Sequence, residues 1–139
     1  MYYPSKNMHL SDTEKMESHR KEIIAYILDI GIRLDIDEDP DYLSPAQEVQ
    51  DNMIAFIKKA DPHNLYTIDI DEDIHQNSYG TLELIFKDNN KNMVSVEIGK
   101  TRCSVISKVN KKNVINRDIP PDQVNIVFDY HFLRLMMNG

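Results

Sequence analysis

The sequence predicts an α+β fold: two N-terminal helices packed on one face of an antiparallel sheet of about four to five strands, with a C-terminal helix. Three observations carry this. Across Tyr79–Val109 apolar residues alternate with polar ones, the mark of strands with one buried and one wet face. Ahead of that stretch, two segments repeat apolar residues at helical spacing. Behind it, QVNIVFDYHFLRLMM is apolar on most sides. At 139 residues, with no repeat or low-complexity linker, residues 1–139 read as one domain.

Residues 1–10 show little pattern and are expected to form a flexible arm. Ser11-Asp12-Thr13-Glu14 then has the form of a capping box. Met16, Arg20, Ile23, Ile27 and Ile30 follow at helical spacing, and Gly31 is a natural C-terminal stop. A helix over about 12–31 is expected. The acidic connector IRLDIDEDPDYLS begins as an extended segment through Ile32, Leu34 and Ile36. Ser44 as N-cap and Pro45 as first residue open the second helix, whose stripe is Val49, Met53, Phe56, Ile57 and Ala60. Asp61-Pro62 ends it.

Leu65–Asp71 alternates Tyr66, Ile68 and Ile70 with Thr67 and Asp69, which reads as the first strand. Leu82, Leu84 and Phe86 mark the next, and Val94, Val96 and Ile98 the one after. Cys103 and Val105 mark a further strand. The links are Asp88–Asn92 and Gly99–Thr101, with a third at Val109–Asn113 feeding a short strand around Val114 and Ile115. Pro120-Pro121-Asp122 begins the last helix. Val124, Val127, Phe128 and Leu135 share one of its faces, and Ile126, Tyr130, Leu133 and Met137 cover another. A strand through Val124–Phe128 is the alternative that its β-branched residues allow.

Composition narrows function. One cysteine, Cys103, leaves no internal disulfide and no multi-thiolate zinc site, which suits a reducing cytoplasm. The N-terminus has no apolar signal core and no run is long enough to span a bilayer, so a soluble cytoplasmic protein is expected. A net charge of −7 argues against general nucleic-acid binding, which lysine and arginine contacts to phosphate drive. It favours a partner with a basic surface.

The motifs that suggest chemistry fail on inspection. Asp35–Asp39 and Asp69–Asp73 have the D-x-D-x-D form of a calcium loop. The sixth position, which needs glycine, holds Pro40 or Ile74, and the twelfth holds Ala46 or Gly80 in place of glutamate. These runs read as solvated acidic surface. Gly99-Lys100-Thr101 ends like a phosphate-binding loop, but Val94 stands where the motif needs its first glycine, and strand leads to strand. His9, His19, His63, His75 and His131 show no metal-ligand spacing. His131 reads as a hydrogen-bonded structural histidine, and Cys103 as a buried, inert thiol. Glu83 and Glu97 are expected as cross-strand neighbours on the open face of the sheet, balanced by Lys87 and Arg102. No catalytic residue, metal or cofactor is expected.

The hairpin formed by Gly80, Leu82, Leu84 and Phe86 and then Ser95, Val96, Glu97, Ile98 and Gly99 resembles a pattern found in small bacterial and phage proteins. In these, helices precede a G-x-L-x-L-x-aromatic strand and a V-S-V-E-I-G strand. Some are similar to antitoxin-like partners encoded beside a toxin. The resemblance spans only this hairpin, and the C-terminal apolar segment lies outside the pattern. It implies a protein-binding role and no catalytic residue. The expected function is therefore a non-enzymatic, antitoxin-like or immunity-like module that masks a basic protein. Asp37, Asp39, Asp71 and Asp73 would steer that partner, with exposed apolar residues of 124–137 as anchors. The competing expectations are a homodimer through 124–137, or a small-ligand or enzyme site assembled only in three dimensions.

Overall fold

A computed structural model describes the backbone of residues 4–36 and 46–138, and the side chains of 12–30 and 46–137. The first helix, α1 (Pro4–Ile36), is longer than its sequence signals predict. It begins within the segment expected as an arm, so Ser11 lies inside it rather than at its cap. Pro4 suits a first helical turn, and no breaker separates it from Ser11. At the other end it passes through Gly31 and replaces the extended segment expected from Ile32. One internal glycine costs a helix only about 1 kcal/mol, and Leu34 continues the spacing of Ile23, Ile27 and Ile30. The acidic positions Asp37 and Asp39, and the expected cap at Ser44-Pro45, lie outside the described residues.

The second helix, α2 (Gln47–Lys59), starts two residues later than predicted. Ala46 is its N-cap, extended at φ −64° and ψ 158°, and offers no side-chain bond. Its carbonyl accepts from the amides of Val49 and Gln50. Val49, Met53, Phe56 and Ile57 are buried, as the stripe predicts. Gln50 joins them because its amide donates to the Ile27 carbonyl of α1 at 3.1 Å.

Leu65–Asp71 is not a strand. Asp61 both ends α2 and caps a single-turn helix, α3 (Pro62–Leu65), by accepting from the His63 amide. Turns follow. The Asp69 amide donates to Asp73 Oδ2 at 2.8 Å, and the Asp71 amide donates to Asp69 Oδ1 at 3.0 Å. Short acidic side chains that capture nearby amides compete with a ladder, and here they win over the alternation of apolar residues. The first strand is instead β1 (Ile74–Gln76).

The sheet is a five-stranded antiparallel meander in sequence order: β1, β2 (Leu82–Lys87), β3 (Met93–Ile98), β4 (Cys103–Val109) and β5 (Lys112–Ile119). Its register pairs Leu84 with Val96 and Val96 with Val105, so one apolar row crosses three strands. Asp88 Oδ1 holds the β2–β3 turn by accepting from the amides of Asn90 and Asn92. The β4–β5 turn places Asn110 and Lys111 at φ 52° and 66°, the mirror-image turn that matches strand twist. Gly99 sits where the chain turns from β3 to β4. A β-carbon there would lie 2.5 Å from the Arg102 carbonyl oxygen, so the close approach requires glycine.

A 3-10 turn (Pro121–Gln123) leads into α4 (Val124–Asn138), which settles helix over strand for the C-terminal segment. In the observed α+β architecture, α4 lies on β3 and β4, α2 reaches β2 and β3, and α1 packs on α2 and α3. Phe56, Phe86, Phe128 and Phe132 meet at the centre, with ring centroids 4.7–5.7 Å apart. Among the described residues no helix is long and apolar enough to cross a membrane.

Candidate protein-interaction surface

The C-terminal helix is apolar on two opposite sides, and only one of them meets the core. Val124, Phe128, His131, Phe132 and Leu135 face inward and are buried. Asn125 ties the helix to the end of α2 by donating to the Phe56 carbonyl at 3.0 Å. The opposite face carries Ile126, Tyr130, Leu133 and Met137, with Met136 beside them. Each is more than half exposed, and Ile126 and Met137 reach 74% and 76%. Full burial of a side chain of this kind gains about 1.5–3 kcal/mol, so together they leave on the order of 5 kcal/mol of gross burial energy unused. Scattered exposed apolar residues are ordinary, whereas a contiguous helical stripe of them is a candidate contact surface.

One flank of α4 borders an open groove of about 950 Å³, which includes Arg20, Lys58, Lys59, Asp61 and Asp129 over a floor of Phe132, Leu133 and Met136. Arg20 is fixed there. It donates to the Ala60 carbonyl at 2.6 Å, capping the C-terminus of α2, and to Glu17 at 3.2 Å. Burial, and then the nearby Asp61 carboxylate, push the Asp129 carboxyl above its ordinary range.

On the inner side, His131 is fully buried and central to a polar chain. Its Nδ1 lies 2.7 Å from Ser107 Oγ and its Nε2 lies 2.6 Å from Asn116 Oδ1. Arg134 Nη1 donates to the same Ser107 oxygen at 3.0 Å. An amide oxygen only accepts, so Nε2 carries the proton, Nδ1 accepts from the Ser107 hydroxyl, and every member is satisfied. Burial, and secondarily Arg134, hold the His131 pKa below its ordinary value, in keeping with a neutral ring. The serine–histidine bond invites comparison with a nucleophile and its base. Neither residue has any solvent exposure, so no substrate reaches the pair. His131 is a structural histidine.

The open sheet face holds the second polar group. Glu83 and Glu97 are cross-strand partners, as the alternation predicts. Their neighbours are not the expected ones. Lys87 instead pairs with Asp73 at 3.0 Å, and Arg102 donates to the Asp118 carbonyl. Glu97 Oε2 accepts from Tyr79 at 2.6 Å and from Asn77 at 2.9 Å, which raises the Tyr79 pKa. Arg117 and Ser104 complete a shallow groove of about 370 Å³. It offers charge and hydroxyls.

Of the acidic positions expected to meet a partner, Asp71 is exposed in its turn, beside exposed Glu72. Asp73 is 4% exposed and committed inward, to the Asp69 amide and to Lys87, whose pKa it raises. Gly99–Arg102 is a hairpin turn docked by Asn52, whose side chain donates to the Gly99 and Lys100 carbonyls. Cys103 is buried, and desolvation raises its thiol pKa. Among the described residues no three histidine, cysteine or acidic side chains converge as a metal site. The outer α4 residues were legible in sequence as a second apolar face. The groove and the His131 chain were not, because Arg20 and Ala60 lie 40 residues apart, and His131 lies 15 from Asn116 and 24 from Ser107. No known protein family, curated protein or solved structure matches this chain.

Proposed function

We propose that this protein is a non-enzymatic protein-binding module that works by surface complementarity, in the masking manner of antitoxin-like and immunity-like proteins. The observation that carries this is the outer face of α4, where five large apolar side chains stand in solvent on a helix whose other side is already anchored. Burying them against protein supplies affinity. The chain's charge of −7 favours a basic partner, and exposed acids such as Asp71 and Glu72 accelerate its approach. Asp37 and Asp39 extend the same acidic character in sequence. Asp73, being buried and paired, takes no part in steering.

The test uses three baits in native extract: wild type, Ile126→Lys/Leu133→Lys, and Asp71→Asn/Glu72→Gln. Each bait's own mass is measured alongside. Wild type is expected to retain a basic protein stoichiometrically, and the acid-neutralised bait to bind it more slowly with a flatter salt dependence. The α4 variant is expected to lose protein contact, whether with that partner or with itself. Identical retention, mass and salt response in all three baits would overturn the proposal.

A further inference from the structure

We infer that the outer face of α4 is covered by a second copy of this chain, the two α4 helices running parallel. The inference rests on the reading of that face as a protein contact and names its occupant. Ile126, Tyr130, Leu133 and Met137 are spaced by four, three and four residues, the apolar rhythm of a two-helix seam. Ile126 and Leu133 take its d positions, and Tyr130 and Met137 its a positions. The residues that pack on the sheet, Phe128, His131, Phe132 and Leu135, occupy b, c and f. Core packing and seam therefore do not compete for any side chain.

Charge chooses the orientation. Asp129 lies at a g position and Arg134 at the e position five residues on, on opposite flanks of the seam. In a parallel pair, g of one helix faces the following e of the other, so Asp129 of each copy meets Arg134 of its partner. Arg134 keeps its bond to Ser107, and its guanidinium carries its positive charge whatever it bonds. In an antiparallel pair g faces g and e faces e, which sets aspartate against aspartate and arginine against arginine. The parallel pair brings opposite charges together and the antiparallel pair brings like charges together. A stable interface covers about 800 Å² on each partner, so the seam forms its apolar centre and the residues bordering α4 form its rim. Two copies also display the acidic turn at Asp71 twice, which strengthens attachment to any partner that engages both.

Sedimentation equilibrium of the full chain tests this, combined with three variants and the extract capture described above. Wild type is expected to be dimeric at micromolar concentration. Leu133→Lys is expected to weaken the dimer by more than about tenfold while keeping the wild-type circular dichroism spectrum, since Leu133 is more than half exposed and outside the buried core. Leu133→Cys is expected to cross-link to itself on oxidation, because d faces d only in the parallel pair; the native Cys103 is buried and does not interfere. Asp129→Ala is expected to weaken the dimer. A dimer that tightens with Asp129→Ala and does not cross-link through Leu133→Cys is antiparallel and overturns the orientation. A wild type monomeric at high concentration, whose capture of a basic protein is lost with Leu133→Lys, overturns self-pairing and leaves the protein-binding reading standing. A monomer whose capture ignores Leu133→Lys overturns both.

Discussion

Replacing His131 with phenylalanine fills the site with a ring but removes both of its hydrogen bonds, and the cost follows from who is left behind. Asn116 is exposed and turns to water. Ser107 is fully buried, and its hydroxyl proton loses its acceptor. Losing the bond to Asn116 costs about 1 kcal/mol, and stranding the buried Ser107 donor costs about 1–3 kcal/mol. The expected loss is about 2–4 kcal/mol. Ser107→Ala removes the stranded hydroxyl, so the double variant should be more stable than the sum of the single losses by at least about 1 kcal/mol. Urea unfolding followed by circular dichroism, at one fixed protein concentration, measures all four corners of the cycle. Losses that add to within about 0.5 kcal/mol would refute the chain of bonds described above. The pH profile gives a second readout. The native pKa of His131 lies below the ordinary 6.5, so the unfolded chain binds a proton near that pH while the native chain does not. Its contribution is complete above about pH 6.5 and is lost as pH falls through the lower native value. The His131→Phe variant should show a correspondingly flatter acid limb.

Three further outcomes are expected. Asp73→Ala should cost about 2 kcal/mol, because a buried carboxylate that holds the Asp69 amide and Lys87 is removed, whereas Asp71→Ala should change stability by less than about 0.5 kcal/mol. The same urea titration compares them, and equal effects would mean that Asp73 is merely surface charge. Gly99→Ala should lose about 1–3 kcal/mol, since its β-carbon meets a backbone oxygen at 2.5 Å and the hairpin has to shift; a melting temperature equal to wild type would contradict that contact. Cys103 should resist a thiol reagent in the native protein at neutral pH and react fully in denaturant, being buried with a raised pKa. Fast native labelling would place it at the surface.

Periodicity alone determined much of this protein. The alternation at Leu82, Leu84 and Phe86, and again at Val94, Val96 and Ile98, specifies strands with one buried face because side chains switch sides at every residue. The spacing of Val49, Met53, Phe56 and Ile57 specifies a helix for the same kind of reason. The double-faced C-terminal segment carried two apolar sides in its spacing, one of which the fold buries while the other stays exposed. Where local signals compete, the sequence left the outcome open. Leu65–Asp71 alternates like a strand, yet Asp61, Asp69 and Asp73 capture neighbouring amides and fold it into turns. Ser11 and Gly31 look like helix ends, but a cap or a glycine contributes only about 1 kcal/mol and yields when the helix continues on both sides.

Only the tertiary structure decided which polar groups are committed within the fold and which stand in solvent. Asp71 and Asp73 are near neighbours in sequence, and one is exposed while the other is buried against Lys87 across the sheet. Ser107, Asn116 and His131 become one chain only when α4 is laid on β3 and β4, which brings His131 within reach of Asn116 on β5. Spacing records how residues sit on their own helix or strand. It carries no trace of the partner that folding brings from tens of residues away, and for a polar side chain that partner decides between structure and function.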